Sequence, residues 1–169
     1  MPQPSSWILT EDYAGLRAQA LGLAEAAGLV PETRTIRPRG LWKHIGPNWW
    51  PAPLRAVEPD GVAPPLPDLV IGCGGKSAAL LSALRGKTRG IVVQHPRMAI
   101  DRFDLVVAAR HDDLTGPNVL VTRTAIHRVT KARLAEAASL WTPRFIHLPR
   151  PLVAVLVGGS NGRFRLDAA

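Results

Sequence analysis

Four short apolar runs constrain this chain more than any other feature. Residues 67–71, 90–94, 105–109 and 118–122 are built around Leu, Ile and Val in continuous rather than alternating order. Continuous apolar order marks strands covered on both faces, and both faces are covered where helices cross over a parallel sheet. A fifth run, residues 7–10, precedes Leu16, Ala20, Leu23 and Ala27 at helical spacing, with Gly28 as the stop signal. A further strand over 33–37 leads into residues 40–65, rich in Pro and Trp and without a sustained period, which read as loop and short helical turns. The run at 67–71 then meets Gly72-Cys73-Gly74-Gly75, and a helical pattern restarts over 77–84. Strand, glycine turn and helix in that order make the βα unit of an α/β fold, a Rossmann-like doubly wound parallel sheet.

Beyond the last of these runs, Thr130 is placed as a helix N-cap. Leu134, Ala138 and Trp141 share the following helical face, and Pro143 is expected to end the element. Pro149 and Pro151 mark a linker, and 152–157 is the most strand-like stretch of the chain. It is followed by Gly158-Gly159-Ser160-Asn161-Gly162. The expected organisation is a Rossmann-like domain over 1–148, then a linker with the first strand of a second domain over 149–169. Such a strand would leave apolar surface exposed, so a homodimer or docking of this tail on its own domain is expected.

At 169 residues and 46% hydrophobic content the chain can bury a core. Its one cysteine, Cys73, excludes an internal disulfide and a paired-cysteine zinc site, which fits a reducing compartment. The start lacks a signal peptide's charged and apolar regions, and no stretch approaches the ~18 apolar residues of a membrane span. The expectation is a cytoplasmic protein, at most peripheral at the inner face of a membrane.

The net charge of +8 is unevenly placed. Residues 1–30 hold one arginine against three acids, and the remainder holds 20 basic against 10 acidic residues. Clustered cations raise the local concentration of a phosphorylated ligand, an anionic lipid or a nucleic acid. Arginines scattered by an Ala/Arg/Pro-rich coding bias would give the same total. Nucleic acid is disfavoured, because no recognition module is present and one tyrosine and three phenylalanines offer little stacking.

Gly72-Cys73-Gly74-Gly75-Lys76-Ser77 invites a P-loop reading, but that motif needs a glycine at the position of Val70. The dinucleotide fingerprint fails as well: Ser77 replaces the third glycine, and the next strand ends in Gln94-His95 where an acid for the ribose belongs. What remains is an anion-binding turn, with small residues that admit backbone N–H groups and a helix N-terminus behind them, or else a tight turn that packs helix on sheet. Gln94-His95-Pro96-Arg97 follows a parallel strand and offers an amide, an imidazole and a guanidinium. The loop Thr10-Glu11-Asp12-Tyr13-Ala14-Gly15, with Arg17 and Gln19 beyond it, leaves the same sheet edge if its strand is parallel, and its acids suit a general base or a helix N-terminus. His111-Asp112-Asp113 lacks a third ligand at metal spacing and reads as a solvated turn. Trp42, Trp49 and Trp50 cluster with Arg37, Arg39, Lys43 and Arg55, which suits a membrane interface or a loop folded over its own core.

Several stretches together resemble the mitochondrial-fission Elm family, whose bacterial members are often labelled nucleoside-diphosphate-sugar epimerases. These are Trp7 to Thr10 with Gln19 to Ala24, Pro67 to Gly75, Gly116 to Asn118, Thr122-Arg123 with His127 to Thr130, and Val155 to Arg163. The resemblance implies the N-terminal half of a two-domain fold similar to GT-B glycosyltransferases. There the N-terminal domain usually carries the acceptor and the C-terminal domain the nucleotide-sugar donor. It implies a metal-independent glycosyltransferase-like protein with no cofactor, and the failed fingerprint argues against the epimerase label. Plant members are tied to recruiting a fission machine at the mitochondrial surface, so the alternative is a non-catalytic membrane-surface adaptor. The first loop departs from relatives, which tend to carry Asp-Gly followed by a Gly-His or similar pair.

On this reading His95 and Asp12 are the candidate catalytic groups. Thr10, Gly15, Gln19, Gly72, Gly74, Gly75, Lys76, Ser77, Gln94, Arg97, Gly158, Gly159, Ser160 and Asn161 are the candidate contacts for a nucleotide-sugar or other phosphorylated ligand. Trp42, Lys43, Trp49 and Trp50 are the candidate membrane-surface residues, and no metal site is expected.

Overall fold

Each apolar run pairs with its neighbour through a parallel ladder. The computed structural model describes residues 3–157 and residue 166, and the chain divides into two units, Met1–Arg128 and Val129–Ala169. The first unit runs β1 (Ser6–Thr10), α1 (Ala14–Ala26), β2 (Glu32–Thr35), β3 (Leu69–Cys73), α2 (Gly75–Leu84), β4 (Arg89–Val93), β5 (Leu105–Ala109) and β6 (Val119–Thr122). Its six strands form one parallel sheet in the order β2-β1-β3-β4-β5-β6. This is the Rossmann-like, doubly wound arrangement the strand pattern implies.

Alternate residues along a strand face opposite sides, so each strand feeds two cores. Trp7, Leu9, Val70, Val92 and Val106 pack with Ala78 and Leu81 of α2, joined by Trp50 and Phe103. Ile8, Ile71 and Val93 pack with Ala20 and Ala24 of α1 on the other side. Full burial of a side chain such as Ile8 or Ile71 contributes about 1.5–3 kcal/mol, so these central pairs carry much of the fold.

The run at 118–122 departs from the expectation of a strand covered on both faces. As an edge strand β6 has a ladder partner on one side only, and Leu120 and Val121 stay exposed. The strand expected over 67–71 sits two residues later, at Leu69–Cys73, and Asp68 just before it clamps the chain to Ser5. Its Oδ2 accepts hydrogen bonds from Ser5 N at 2.9 Å and Ser5 Oγ at 2.8 Å, and its N–H donates to Ser5 Oγ at 3.0 Å.

Residues 40–61 form four short 3-10 turns, three of which start on Pro47, Pro53 and Pro59, where the fixed φ suits a first helical position. Trp50 folds inward, 5% exposed, and its indole N–H donates to Ile45 O at 3.0 Å. Trp42 packs against the same core. Trp50 therefore belongs to the interior, and Trp42 is half-buried against it.

In the second unit α3 (Lys131–Phe145) starts where Thr130 caps it, with Arg133 N donating to Thr130 Oγ1 at 3.2 Å. Pro143 lies inside α3 instead of ending it. With only two residues beyond it, the lost hydrogen bond falls in the last turn, where proline does least damage. Residues 152–157 form no strand, contrary to their sequence pattern. A strand exists only through its ladder, and this stretch has no ladder partner among the described residues.

Gly72 is the tightest point of the sheet. An added Cβ would stand 2.6 Å from Leu81 Cδ1 and 2.8 Å from Ser77 Cβ. Gly72→Ala is expected to destabilise the protein by about 1–3 kcal/mol through overpacking, read as a lower urea midpoint at unchanged slope. The Ser5 hydrogen bonds hold the Asp68 carboxyl below the usual carboxylate range. A depressed folded pKa contributes stability above the unfolded value near about 3.9, and that contribution is lost as pH falls through the folded value. Asp68→Asn should therefore flatten the acid limb of stability against pH while changing little near neutrality in shape, as thermal melts across that range would show.

Candidate functional site

The strand order places a topological switch between β1 and β3, because the chain leaves β1 toward β2 on one side and re-enters at β3 on the other. The loops after these two strands diverge, and ligands in open α/β sheets bind in the crevice so formed. A cleft of about 670 Å³ opens there, along the C-terminal ends of the strands. Its wall takes residues from the loops after β1, β3, β4, β5 and β6 and from the 3-10 turn Pro47–Trp49.

At the switch itself Lys76 Nζ lies 2.5 Å from Glu11 Oε1, with side chains only 22% and 18% exposed. Lys76 is in the first turn of α2, and Gly74, at φ +98, is that helix's N-cap. Only glycine adopts this geometry cheaply, and it brings the positive end of α2 to the cleft. Gly75 lines the cleft beside Lys76.

The loop after β4 supplies Gln94, His95 and Arg97. Gln94 and Arg97 both have positive φ, 77° and 55°, a region that costs a non-glycine residue on the order of 1–2 kcal/mol. Two such residues three positions apart are over-determined by their surroundings. Gln94 N donates to Val107 O at 2.9 Å, and Asn48 Nδ2 donates to Arg97 O at 3.3 Å. His95 Nδ1 accepts from Arg97 N at 2.9 Å. That bond requires an unprotonated Nδ1, so Nε2 carries the proton and is a donor. In this arrangement His95 offers a hydrogen bond rather than a lone pair for base catalysis.

Of the sequence candidates, the cleft gathers Gln19, Gly75, Lys76, Gln94, His95, Arg97 and Trp49, the last 81% exposed at the rim. Others fall elsewhere. Asp12 is exposed and ion-paired with Arg17, and of the two acids in this loop it is Glu11 that lines the cleft. Thr10 is buried in β1, where its carbonyl accepts from Ile36 N. Gly15 is exposed in the first turn of α1, with open space where a Cβ would stand. Gly72 and Ser77 are packing groups: Ser77 Oγ is buried, 2.7 Å from Leu9 O and 2.9 Å from Cys73 O, and ties α2 to the sheet. Lys43 is exposed and does not line the cleft. Gly158, Gly159, Ser160 and Asn161 lie outside the described residues.

The sequence reasoning missed Asn48, which no motif marks, and Asp112. With His111 and Asp113 the latter suggests only a solvated turn in sequence, whereas its Oδ2 accepts from Ala109 N at 3.0 Å and the residue lines the cleft wall. Cys73, at the end of β3, is fully buried, and burial pushes its thiol up to about 12, so it is neutral and no nucleophile.

Gln94→Gly tests the strained loop. Relief of the left-handed penalty roughly offsets glycine's extra unfolded entropy, so the variant should be within about 1 kcal/mol of the wild type or more stable in urea unfolding. A larger loss would mean that the amide side chain itself holds the loop.

Comparison with known proteins adds three findings. The family model described as Mitochondrial fission ELM1 matches residues 14–169. The chain is 32% identical over 144 residues to Mitochondrial fission protein ELM1 of Arabidopsis thaliana, an alignment covering 68% of this chain and 33% of that protein. No solved structure matches the chain.

Proposed function

The chain belongs to the mitochondrial fission ELM1 family, and on that premise we propose that its cleft binds a phosphorylated or sugar ligand, as the acceptor side of a GT-B-like glycosyltransferase scaffold would. The chain spans about a third of the plant relative's length, so any donor side is assigned to sequence of the kind that relative has in addition. One observation carries the reading: Lys76, the His95 Nε2–H and Arg97 converge with the positive end of α2 in a single cleft at the switch point. Ammonium, imidazole N–H, guanidinium and helix N-terminus are the donors that phosphate oxygens require.

The chemistry divides accordingly. Charge on a phosphate or on a developing oxyanion is met by Arg97 and the α2 terminus, which are positioned before the ligand arrives. Glu11 is the cleft carboxylate that can accept a proton from an acceptor hydroxyl, and its pairing with Lys76 orients it toward the switch. His95 donates to a ligand oxygen and so orients it.

The test is thermal denaturation with inorganic phosphate, sugar phosphates, nucleoside diphosphates and nucleotide sugars. A ligand present at about 100 times its Kd stabilises the folded state by about 2.7 kcal/mol, which is several degrees in a protein of this size. Arg97→Ala should abolish the shift while the unliganded midpoint stays nearly the same, because the exposed guanidinium packs against little. Ser77→Ala should lower the unliganded midpoint, by about 1 kcal/mol, and leave the ligand shift intact. Absence of any shift at millimolar ligand in the wild type would end this reading.

A further inference from the structure

Both backbone polar groups of Arg97 are taken by side chains. Its N–H donates to His95 Nδ1 at 2.9 Å, and its carbonyl accepts from Asn48 Nδ2 at 3.3 Å. The two clamps come from different elements, the loop after β4 and the 3-10 turn Pro47–Trp49. That turn leans on the start of α2, where a Cβ added at Gly75 would stand 3.4 Å from Pro47 Cγ. Arg97, at φ +55, would leave this left-handed conformation readily if nothing held it, because a Cβ disfavours it.

A side-chain acceptor that takes the N–H two residues on closes an Asx-turn, a role that ordinarily falls to Asn or Asp and that a following proline favours. Here Pro96 supplies the proline and is buried, so the loop is anchored at its middle, and histidine supplies the acceptor. On the other side of the turn, Gln94 N is bonded to Val107 O of β5. The choice of histidine has a chemical reason. An aspartate would close the same turn but set a negative charge beside an anion. Histidine closes it with one nitrogen and keeps a donor on the opposite edge of a ring that lines the cleft.

We infer that His95 is a positioning residue for Arg97: through Nδ1 it locks Arg97 in the left-handed conformation in which that residue lines the cleft, while Asn48 holds the carbonyl from the neighbouring turn. A guanidinium whose backbone is fixed before an anion arrives has less freedom to lose on binding. The shape of the side chain at 95, and where its acceptor stands, therefore set the anion affinity. The consequence for binding rests on the reading of the cleft as an anion site, whereas the clamp itself needs no ligand.

The test compares His95→Asn with His95→Gln in the whole chain. Asparagine puts its Oδ1 where Nδ1 stands and closes the same turn; glutamine carries its amide one carbon further out, near the place of Nε2, and leaves the Arg97 N–H open. Amide hydrogen exchange reads the clamp without any ligand. The Arg97 N–H should exchange within about threefold of the wild-type rate in His95→Asn and at least about tenfold faster in His95→Gln, the loss of one hydrogen bond. Calorimetric titration with inorganic phosphate reads the consequence. Affinity should fall in the order wild type, His95→Asn, His95→Gln, with His95→Asn within about tenfold of the wild type and His95→Gln as weak as Arg97→Ala. Arg97 N–H exchange as fast in His95→Asn as in His95→Gln overturns the inference. So does phosphate binding at least as tight in His95→Gln as in His95→Asn, which would make the Nε2 donor the whole contribution of His95. Phosphate binding by a wild type whose Arg97 N–H is unprotected ends this inference alone. A wild type with the expected exchange pattern and no phosphate binding ends the reading of the cleft and the aiming role together.

Discussion

Much of the first unit depends on how closely α2 approaches β3. Gly72 presents no side chain to the helix, so Leu81 and Ser77 come to rest on the strand backbone itself. Ser77 then reaches past β3 to the carbonyl of Leu9 in β1. The start of α2 is thereby held over the gap between the two strands where the sheet changes direction. The nearness of Lys76 to Glu11, two residues 65 positions apart in sequence, follows from that placement. A larger residue at 72 would lift the helix and separate the pair.

The same economy governs the rest of the cleft. Several polar groups that look available in sequence are committed to the backbone: Asp112 to the Ala109 N–H, His95 Nδ1 to the Arg97 N–H, and Ser77 to two carbonyls. Of the charged groups that line the cleft, Glu11 is already paired with Lys76. The positive φ angles of Gln94 and Arg97 lie in a loop that lines this same cleft. Strain of this kind persists only where surrounding contacts over-determine it, and it clusters at functional sites.

Departures from the sequence reading share one cause, the dependence of an element on partners distant in sequence. The run at 118–122 reads like the other strands, yet β6 is at the sheet edge and stays half exposed. Residues 152–157 have the strongest strand pattern and form no strand, because composition supplies propensity but not a neighbouring backbone. Trp49 and Trp50 are adjacent and chemically identical; one is open to solvent and the other is in the core, and only the turn at Pro47 separates their fates.

The amino-acid sequence by itself determined the parallel, two-sided sheet, the glycine turn into α2, the capped start of α3 and the family, because each rests on local periodicity or on residues with unusual backbone freedom. It also placed Gln94, His95 and Arg97 at the C-terminal edge of the sheet, since parallel strands in one sheet end on one side. Only the tertiary structure decided that Glu11 rather than Asp12 faces the cleft, that Ser77 is a structural hydroxyl, and that His95 is a donor. Those distinctions turn on a rotation of one residue or on one long-range hydrogen bond, and neither leaves a mark in local sequence.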